Sequence, residues 1–212
     1  MLANKQTEIL KNELNLVFTK EIIDKLNLWK EIFVEYNSHT NLMSKGDIEV
    51  LFEKHVFDSL AIIKWDKFLN HKKILDVGCG GGFPSVILAI CFPEITIIAN
   101  DSRIKKINFI KEIKEKLNLE NLEILYSRIE EVEALNVDLI TSRAVGKMID
   151  VWELSKKHLK KNGDFLIYKA KLSQEEIKAF QNKYKKANFD IIPYSLPLKE
   201  NFERNLIILK EI

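Results

Sequence analysis

The chain has 212 residues, of which 46% are hydrophobic and 30% are charged, and its formal net charge is +2. This balance is typical of a globular protein and excludes a disordered chain. No apolar run approaches the ~20 residues of a membrane-spanning helix, and the polar start MLANKQTE lacks the core of a signal peptide, so we expect a cytoplasmic protein.

The chain contains two cysteines and an uneven set of basic residues. Cys79 and Cys91 are too few and too far apart for a metal cluster, so we expect neither a bound metal nor a disulfide. Lysine supplies most of the 33 basic residues and therefore the general surface charge. The arginines number four, and each is a candidate for a specific contact: Arg103, Arg128, Arg143 and Arg204.

Amphipathic helices are predicted before residue 70. Apolar residues recur every three or four positions up to Tyr36, and we expect residues 1–36 to be helical. A polar loop should follow from Asn37 to Asp47, and then a second helix from about Ile48 to Trp65. We therefore expect residues 1–70 to form a helical extension packed on a core of residues 71–212.

Three polar residues share one face of the second predicted helix. His55, Asp58 and Ser59 stand at positions i, i+3 and i+4. A zinc site would need further ligands, and a nucleophilic serine would need an oxyanion hole of which the sequence gives no sign. The trio is therefore either a set of locally satisfied polar groups or part of the lining of a pocket.

The stretch from Lys73 to Ser85 reads KILDVGCGGGFPS and predicts a strand, a tight glycine loop and a helix. Alternating glycines allow the backbone to turn through positive φ, and they let a ligand approach main-chain N–H groups. Pro84 lacks an N–H and suits a first helical turn, so the helix should begin there.

From Lys73 onward, strand-like runs alternate with helical patterns. This alternation predicts an α/β fold, with a mostly parallel Rossmann-like sheet and right-handed crossovers. The last two strand-like runs, Phe189–Tyr194 and Asn205–Leu209, have no helix between them, so they should pair antiparallel at one edge.

An acid ends the second predicted strand, where a ribose-binding carboxylate is expected. This residue is Asp101. A dinucleotide fingerprint would need a further glycine where Phe83 or Ser85 stands. The loop instead resembles motif I of the class I S-adenosylmethionine-dependent methyltransferases, with an acid and three alternating glycines: Asp76, Gly78, Gly80 and Gly82.

The end of the fourth predicted strand bears on the methyl acceptor. It reads Thr141-Ser142-Arg143-Ala144 and lacks the Asn/Asp-Pro-Pro-aromatic loop of amine methyltransferases. Neither cysteine is placed to attack a pyrimidine C5. A guanine N7 fits, because its lone pair needs alignment rather than deprotonation. Arg143 is then either a ligand of a base edge or phosphate, or a surface residue.

Several blocks together resemble the RsmG family, also called glucose-inhibited division protein B, which comprises bacterial 16S rRNA guanine-N7 methyltransferases. The resemblance covers nearly the whole chain from about residue 20. It implies a class I methyltransferase, S-adenosylmethionine as cofactor, and 16S rRNA, the small ribosomal subunit or its assembly intermediate as partner. The blocks are Tyr36-Asn37, Asn41-Leu42-Met43-Ser44, His55-x-x-Asp58-Ser59, DVGCGGGFP, Asp101-Ser102, Ser127-Arg128-Ile129-Glu130-Glu131 and Ser142-Arg143-Ala144.

The same resemblance implies roles for individual residues. It implies that His55, Asp58 and Ser59 lie at the rim of the active site, and Arg143, His55 and Asp58 are the catalytic candidates. Two departures from the family pattern are Pro84-Ser85 in place of Pro-Gly, and Lys169-Ala170 in place of Lys-Gly, which leaves the role of Lys169 open. The predicted cofactor contacts are Asp76, Gly78, Gly80, Phe83, Asp101, Ile129, Glu130 and Arg143.

Basic residues cluster at 103–116, 156–161 and 183–186. These clusters are either solvated helix faces or phosphate contacts whose binding would weaken with salt. Phe83 or Tyr168 could stack on a flipped base. Two other functions stay open: a methyltransferase of this fold with a small-molecule or protein acceptor, and a non-catalytic cofactor-binding protein that recognises RNA.

Overall fold

The computed structural model describes residues 4–40, 42–143, 145–170, 174–198 and 202–211. Asn41 and Ala144, named above in the sequence blocks, lie outside the described residues, as do the first three residues of the predicted N-terminal helix.

Seven strands form one sheet in the order β3-β2-β1-β4-β5-β7-β6. The first five strands run parallel, and β7 pairs antiparallel with both β5 and β6. The α/β class and the antiparallel pairing of the last two strands are thus confirmed. The strands are β1 (Lys73–Val77), β2 (Thr96–Asp101), β3 (Leu122–Tyr126), β4 (Val137–Arg143), β5 (Leu159–Lys169), β6 (Asn188–Leu196) and β7 (Phe202–Glu211).

Helices cover both faces of the sheet because successive strand residues point to opposite sides and both sides are apolar. Ile74 packs in the core cluster shared with α2, α5 and α6, whereas the adjacent Leu75 packs in the cluster shared with α7 and α8. The helices are α1 (Asn4–Leu14), α2 (Lys20–Thr40), α3 (Lys45–Glu49), α4 (Asp58–Leu60), α5 (Ser85–Cys91), α6 (Ile104–Leu117), α7 (Met148–Ser155) and α8 (Gln174–Lys183).

The N-terminal helices differ from the prediction in their ends. Residues 15–19 separate α1 from α2, and α2 continues to Thr40 through the position where a loop was expected to begin. Asn37 explains the difference. Its buried side chain donates to the Met43 carbonyl (3.1 Å) and accepts from the Met43 N–H (2.7 Å). This polar residue therefore fixes the position of the following loop while its own backbone remains helical.

The second predicted helix is also not one continuous α-helix. Phe52–Phe57 is a π-helical turn, Asp58–Leu60 is α-helical, and Ala61–Lys64 is 3₁₀. The prediction of a regular helix from Ile48 to Trp65 was therefore wrong in detail, because a π turn cannot be recognised from the spacing of apolar residues. Such turns occur often at functional sites. The boundary between a helical extension and a core at residue 70 stays a prediction.

Candidate active site

The loop between β1 and α5 has the conformation that its glycines predict. Gly78, Gly80 and Gly82 have φ values of +73°, +56° and +89°. A Cβ atom on Gly78 would run into the Val145 side chain, and one on Gly82 would run into Val86. Glycine is therefore required at both positions for space as well as for conformation.

Asp76 lies completely buried beneath this loop. Its Oδ2 accepts the Ser85 N–H at 3.2 Å, and its Oδ1 has no hydrogen-bond partner among the described residues. Burial raises the pKa of Asp76 to about 7, even though the bond from Ser85 opposes the shift. Asp76 thus holds the first residue of α5, and its direct contact with a cofactor stays a prediction.

Asp101 stands at the end of β2 with its carboxylate turned toward the loop. Oδ2 accepts the Gly80 N–H at 3.0 Å, and Oδ1 accepts the N–H and Nε–H of Arg103 at 2.9 and 3.1 Å. Burial opposes ionisation, but these bonds and the charge of Arg103 outweigh it and lower the pKa of Asp101. Because the Arg103 side chain is 66% exposed and the Asp101 side chain only 3%, Arg103 can move aside and free an ionised carboxylate.

A cleft of about 400 Å³ opens between this loop and the chain segment that follows α2. We call it the loop cleft. Lys106 fixes its outer wall, because its ammonium donates to the Leu42 carbonyl at 3.0 Å. The cleft is lined by Phe33, residues 42–44, Asp47, His55, residues 78–81, Phe83, Arg103, Lys106, Arg143 and Val145.

Arg143, at the end of β4, joins the sheet to the π turn and α4. Its Nη1 donates to Asp58 Oδ2 at 2.9 Å, and its Nη2 donates to His55 Nδ1 at 3.0 Å. The guanidinium carbon lies 4.9 Å from the centre of the Phe83 ring. The Arg143 side chain is only 14% exposed. The family resemblance implied one active site for all three residues but not these hydrogen bonds, which link residues 85 or more positions apart in the chain.

Asp58 and His55 are held in different ways around this arginine. The Asp58 carboxylate also accepts the Tyr194 hydroxyl at 2.6 Å, so both of its oxygens are engaged. Burial and the charge of Arg143 lower the pKa of His55 to about 3, which keeps the ring neutral at neutral pH. Since Arg143 only donates, Nδ1 of His55 is the acceptor and Nε2 carries the proton. Ser59 is buried and donates to the His55 carbonyl, as a locally satisfied residue does.

Phe83 and Tyr168, the two rings proposed to stack on a base, are both largely buried. Phe83 is 5% exposed, and its ring packs against Trp29, Phe33 and His55. Tyr168 is 3% exposed and donates its hydroxyl hydrogen to the Ser59 carbonyl at 3.0 Å. Phe83 lines the loop cleft despite this burial, and stacking of either ring on a flipped base stays a prediction.

Ile129 and Glu130 lie in a 3₁₀ turn on the connection from β3 to β4. They do not line the loop cleft as the structure has it. Their carbonyl groups accept hydrogen bonds from His158 (3.0 Å) and Lys157 (2.6 Å). Contact of their backbone with a cofactor stays a prediction.

A second cleft of about 440 Å³ lies on the other side of Arg143, and we call it the strand-end cleft. It shares Asp47, His55 and Arg143 with the loop cleft, so the two clefts meet at this arginine. Sequence reasoning left the role of Lys169 open, named Arg204 only as a candidate for an unspecified contact, and missed Lys54 and Phe202. The cleft is lined by Asp47, Lys54, His55, Asp58, Arg143, Tyr168, Lys169, Ala170, Phe202 and Arg204.

The basic clusters of the sequence lie at different places in the fold. The cluster at 103–116 begins at the loop cleft with Arg103 and Lys106. The clusters at 156–161 and 183–186 lie at the opposite edge of the sheet, at the starts of β5 and β6. Three of their lysines form ion pairs there: Lys156 and Lys183 with Glu153, and Lys160 with Asp138.

Membrane-spanning helices and metal-binding clusters are both absent from the described residues. No helix in the described ranges is long and apolar enough to cross a membrane. Across the same part of the chain, no three His, Cys, Asp or Glu side chains gather as a metal ion would require.

Comparison with known proteins places most of this chain in one family. Residues 22–207 match the model of a family described as rRNA small subunit methyltransferase G. A ribosomal RNA small subunit methyltransferase G of Mycoplasma capricolum is 38% identical over 183 residues, which is 85% of this chain and 79% of that protein. The Bacillus subtilis protein of the same name is 31% identical over 90% of this chain and 82% of its own length.

Solved structures share the fold at low sequence identity. A ribosomal protein L11 methylase of Lactobacillus delbrueckii has a TM-score of 0.56 and 14% identity, over 73% of this chain and 77% of that one. A precorrin-6y C5,15-methyltransferase of Geobacter metallireducens has a TM-score of 0.53 and 12% identity, over 81% and 91%. These similarities establish a methyltransferase fold and nothing finer.

Proposed function

This chain belongs to the rRNA small subunit methyltransferase G family, and on that premise we propose that it transfers a methyl group to N7 of a guanine in 16S rRNA. It is a methyltransferase that uses S-adenosylmethionine, as the family and the fold together indicate. The acceptor atom and the roles of individual residues are our proposals.

The loop cleft suits S-adenosylmethionine by its shape and by its charges. Residues 78–81 present main-chain groups with no Cβ at three of the four positions, and Asp101, which binds the lining residues Gly80 and Arg103, would supply an ionised carboxylate for ribose hydroxyls. The cofactor carries no phosphate, and the three cations of the lining each have a protein partner: Arg103 binds Asp101, Lys106 binds the Leu42 carbonyl and Arg143 binds Asp58. When bound, the cofactor supplies an electrophilic methyl group.

Arg143 carries the proposal, because it lies where the loop cleft meets the strand-end cleft. Its bonds to Asp58, His55 and the Lys54 carbonyl use three of the five N–H groups of a guanidinium. The remaining donors are suited to the O6 edge of a guanine held beside the methyl group. The planar contact with Phe83 and the ion pair with Asp58 keep the fork in one orientation, which reduces the entropy lost on alignment.

The protonation states around this junction favour an acceptor that needs no general base. Asp58 is bound by Arg143 and Tyr194, and Asp47 is bound by Ser44 and Lys54, whose hydrogen bonds lower its pKa. His55, with its pKa near 3, is a weak base. A guanine N7 lone pair attacks without losing a proton, so positioning supplies the catalysis.

Methyl transfer to small ribosomal subunits tests this proposal. The protein is incubated with labelled S-adenosylmethionine and with subunits from a strain that lacks the modification, and the label is mapped by N7-methylguanine-specific cleavage of the RNA. We expect one labelled guanine in 16S rRNA. Label at another atom or in ribosomal protein would refute N7 transfer, and cofactor binding without any transfer would favour a non-catalytic RNA-binding role.

A further inference from the structure

We propose that the strand-end cleft receives the acceptor nucleotide, with the Phe202 ring stacked on its base and the Lys54 ammonium on a neighbouring phosphate. The inference rests on the proposed rRNA methylation and deepens it by naming where the RNA is held. It rests on the position of the cleft, on its charge and on its aromatic surface.

The position of the cleft is that of a second substrate. It is built from the ends of β4 and β5, the first residues of β7 and the π turn that contains Lys54. Arg143 lines both clefts, as do Asp47 and His55, so the two clefts meet beside it. A base in the strand-end cleft would therefore meet a methyl donor of the loop cleft at this junction, and in-line transfer requires that no side chain lies between N7 and the methyl group.

The charge of the cleft suits RNA. Its lining has four cationic side chains, Lys54, Arg143, Lys169 and Arg204, against the carboxylates of Asp47 and Asp58. Lys169 is bound by Glu176 at 2.7 Å and Arg143 by Asp58, so these two are held in place. Lys54 is 30% exposed, and its partner Asp47 is also 35% exposed, so this ammonium can exchange a solvated carboxylate for a phosphate at low cost.

Phe202 differs from the buried aromatic residues near the junction. It is half-buried at the start of β7, whereas Tyr168 and Phe83 are almost fully buried. The Lys54 ammonium lies 5.7 Å from the centre of the Phe202 ring. A half-exposed ring beside a cation is a common arrangement for a stacked base with its phosphate alongside.

Two variants and two matched controls test the inference. Phe202→Leu keeps an apolar side chain but removes the stacking face, and Lys54→Gln removes the charge. Phe189→Leu is the control for the first, because Phe189 is also half-buried but lies at the other edge, near the start of β6. Lys160→Gln is the control for the second, because Lys160 also pairs with an aspartate, Asp138.

We measure KM and kcat for small subunits and the Kd of S-adenosylmethionine for all four variants, after checking their thermal unfolding. We expect Phe202→Leu and Lys54→Gln to raise KM about 5- to 20-fold, with the Kd of the cofactor unchanged and both controls like wild type. In Lys54→Gln the slope of log KM against log salt should fall by about one.

The possible failures are distinguishable. If wild-type protein methylates N7 of a guanine while both cleft variants keep a wild-type KM, the inference is wrong and the proposed function stands. A changed cofactor Kd with an unchanged KM would also overturn it, since the strand-end cleft would then belong to the cofactor. If wild-type protein transfers no methyl group to 16S rRNA, the proposed function fails and the inference falls with it.

Discussion

The side of the sheet where the parallel strands begin and the side where they end, here called its two edges, are both rich in charge. The charged side chains at the two edges differ in what they contact. At the edge where β1, β4 and β5 begin, several charged groups are matched by a near neighbour. Asp138 accepts the N–H groups of Lys72 and Lys73 and pairs with Lys160, and His71 binds Asp164 at 2.9 Å. At the edge where the strands end, Arg143 borders both clefts, and Asp101 binds Gly80 and the exposed Arg103, which line the loop cleft.

The difference shows that density of charge along the sequence does not locate a binding site. The run at 156–161 has four lysines in six residues, yet it lies at the edge where charges are paired. The cations of the strand-end cleft come instead from four distant segments, at Lys54, Arg143, Lys169 and Arg204. Parallel strands bring their carboxyl ends together, so scattered residues meet there.

The largest effect expected at the strand-end edge follows from Arg143→Ala. This variant loses the fork that we propose aligns the acceptor, and methyl transfer to small subunits should fall by about 100-fold or more. Arg143→Lys keeps the charge but not the fork, and it should restore little of the rate. Single-turnover transfer checks both variants at a temperature where each remains folded. A wild-type rate in Arg143→Lys would contradict the proposed role of the fork.

A pair of aspartates, one at each edge, compares cofactor binding directly. Asp101→Asn should weaken S-adenosylmethionine binding by about 10- to 100-fold, because charged hydrogen bonds to the ribose are lost. Asp138→Asn, at the other edge, should leave the cofactor Kd within about twofold of wild type while lowering stability. Isothermal titration measures both constants. Equal effects of the two substitutions would remove the distinction between the edges.

A substitution of His71 tests whether the charged groups at the edge where the strands begin contribute to stability but not to cofactor binding. Burial opposes protonation of His71, but hydrogen bonds to Asp164 and the Phe68 carbonyl outweigh it and raise the pKa. A raised pKa means that this stabilisation is complete below the unfolded value of about 6.5 and is lost as the pH rises through the folded value.

The free energy of unfolding of wild type should therefore exceed that of His71→Asn by more at pH 6 than at pH 9. We expect this difference to narrow by about 1 kcal/mol. Urea denaturation at the two pH values measures it, and the cofactor Kd should not change in the variant. A difference that widens with pH would show that His71 is not stabilised as a cation.

The smallest effect is expected from the basic run itself. Lys156, Lys157 and Lys160 already bind Glu153, the Glu130 carbonyl and Asp138, so replacing all three by Gln should change the KM for small subunits by less than about twofold. The salt dependence of KM should also be preserved. A tenfold rise in KM would contradict this prediction and show that these lysines contribute to RNA binding.

Individual residues illustrate how far the sequence reached into the fold and the site. The positive φ values at Gly78, Gly80 and Gly82 were predictable because the requirement is local. The extension of α2 past Asn37 was not, because the side chain finds its partner in Met43 only after the chain has turned. Phe83 was predicted as a cofactor contact, but its packing against Trp29 and Phe33 and its position beside Arg143 depend on other elements of the fold.

The sequence by itself determined the alternating strands and helices, the glycine loop with Asp101 one strand further on, and the family to which these blocks belong. Those features depend on apolar period, backbone freedom and short spacings, which are all properties of neighbouring residues. Only the tertiary structure decided that Arg143 meets Asp58 and His55, that the 156–161 run lies at the edge away from the clefts, and that Lys54 lies beside Phe202. These contacts join residues far apart in the chain, so they depend on how the sheet orders its strands and on where their ends meet.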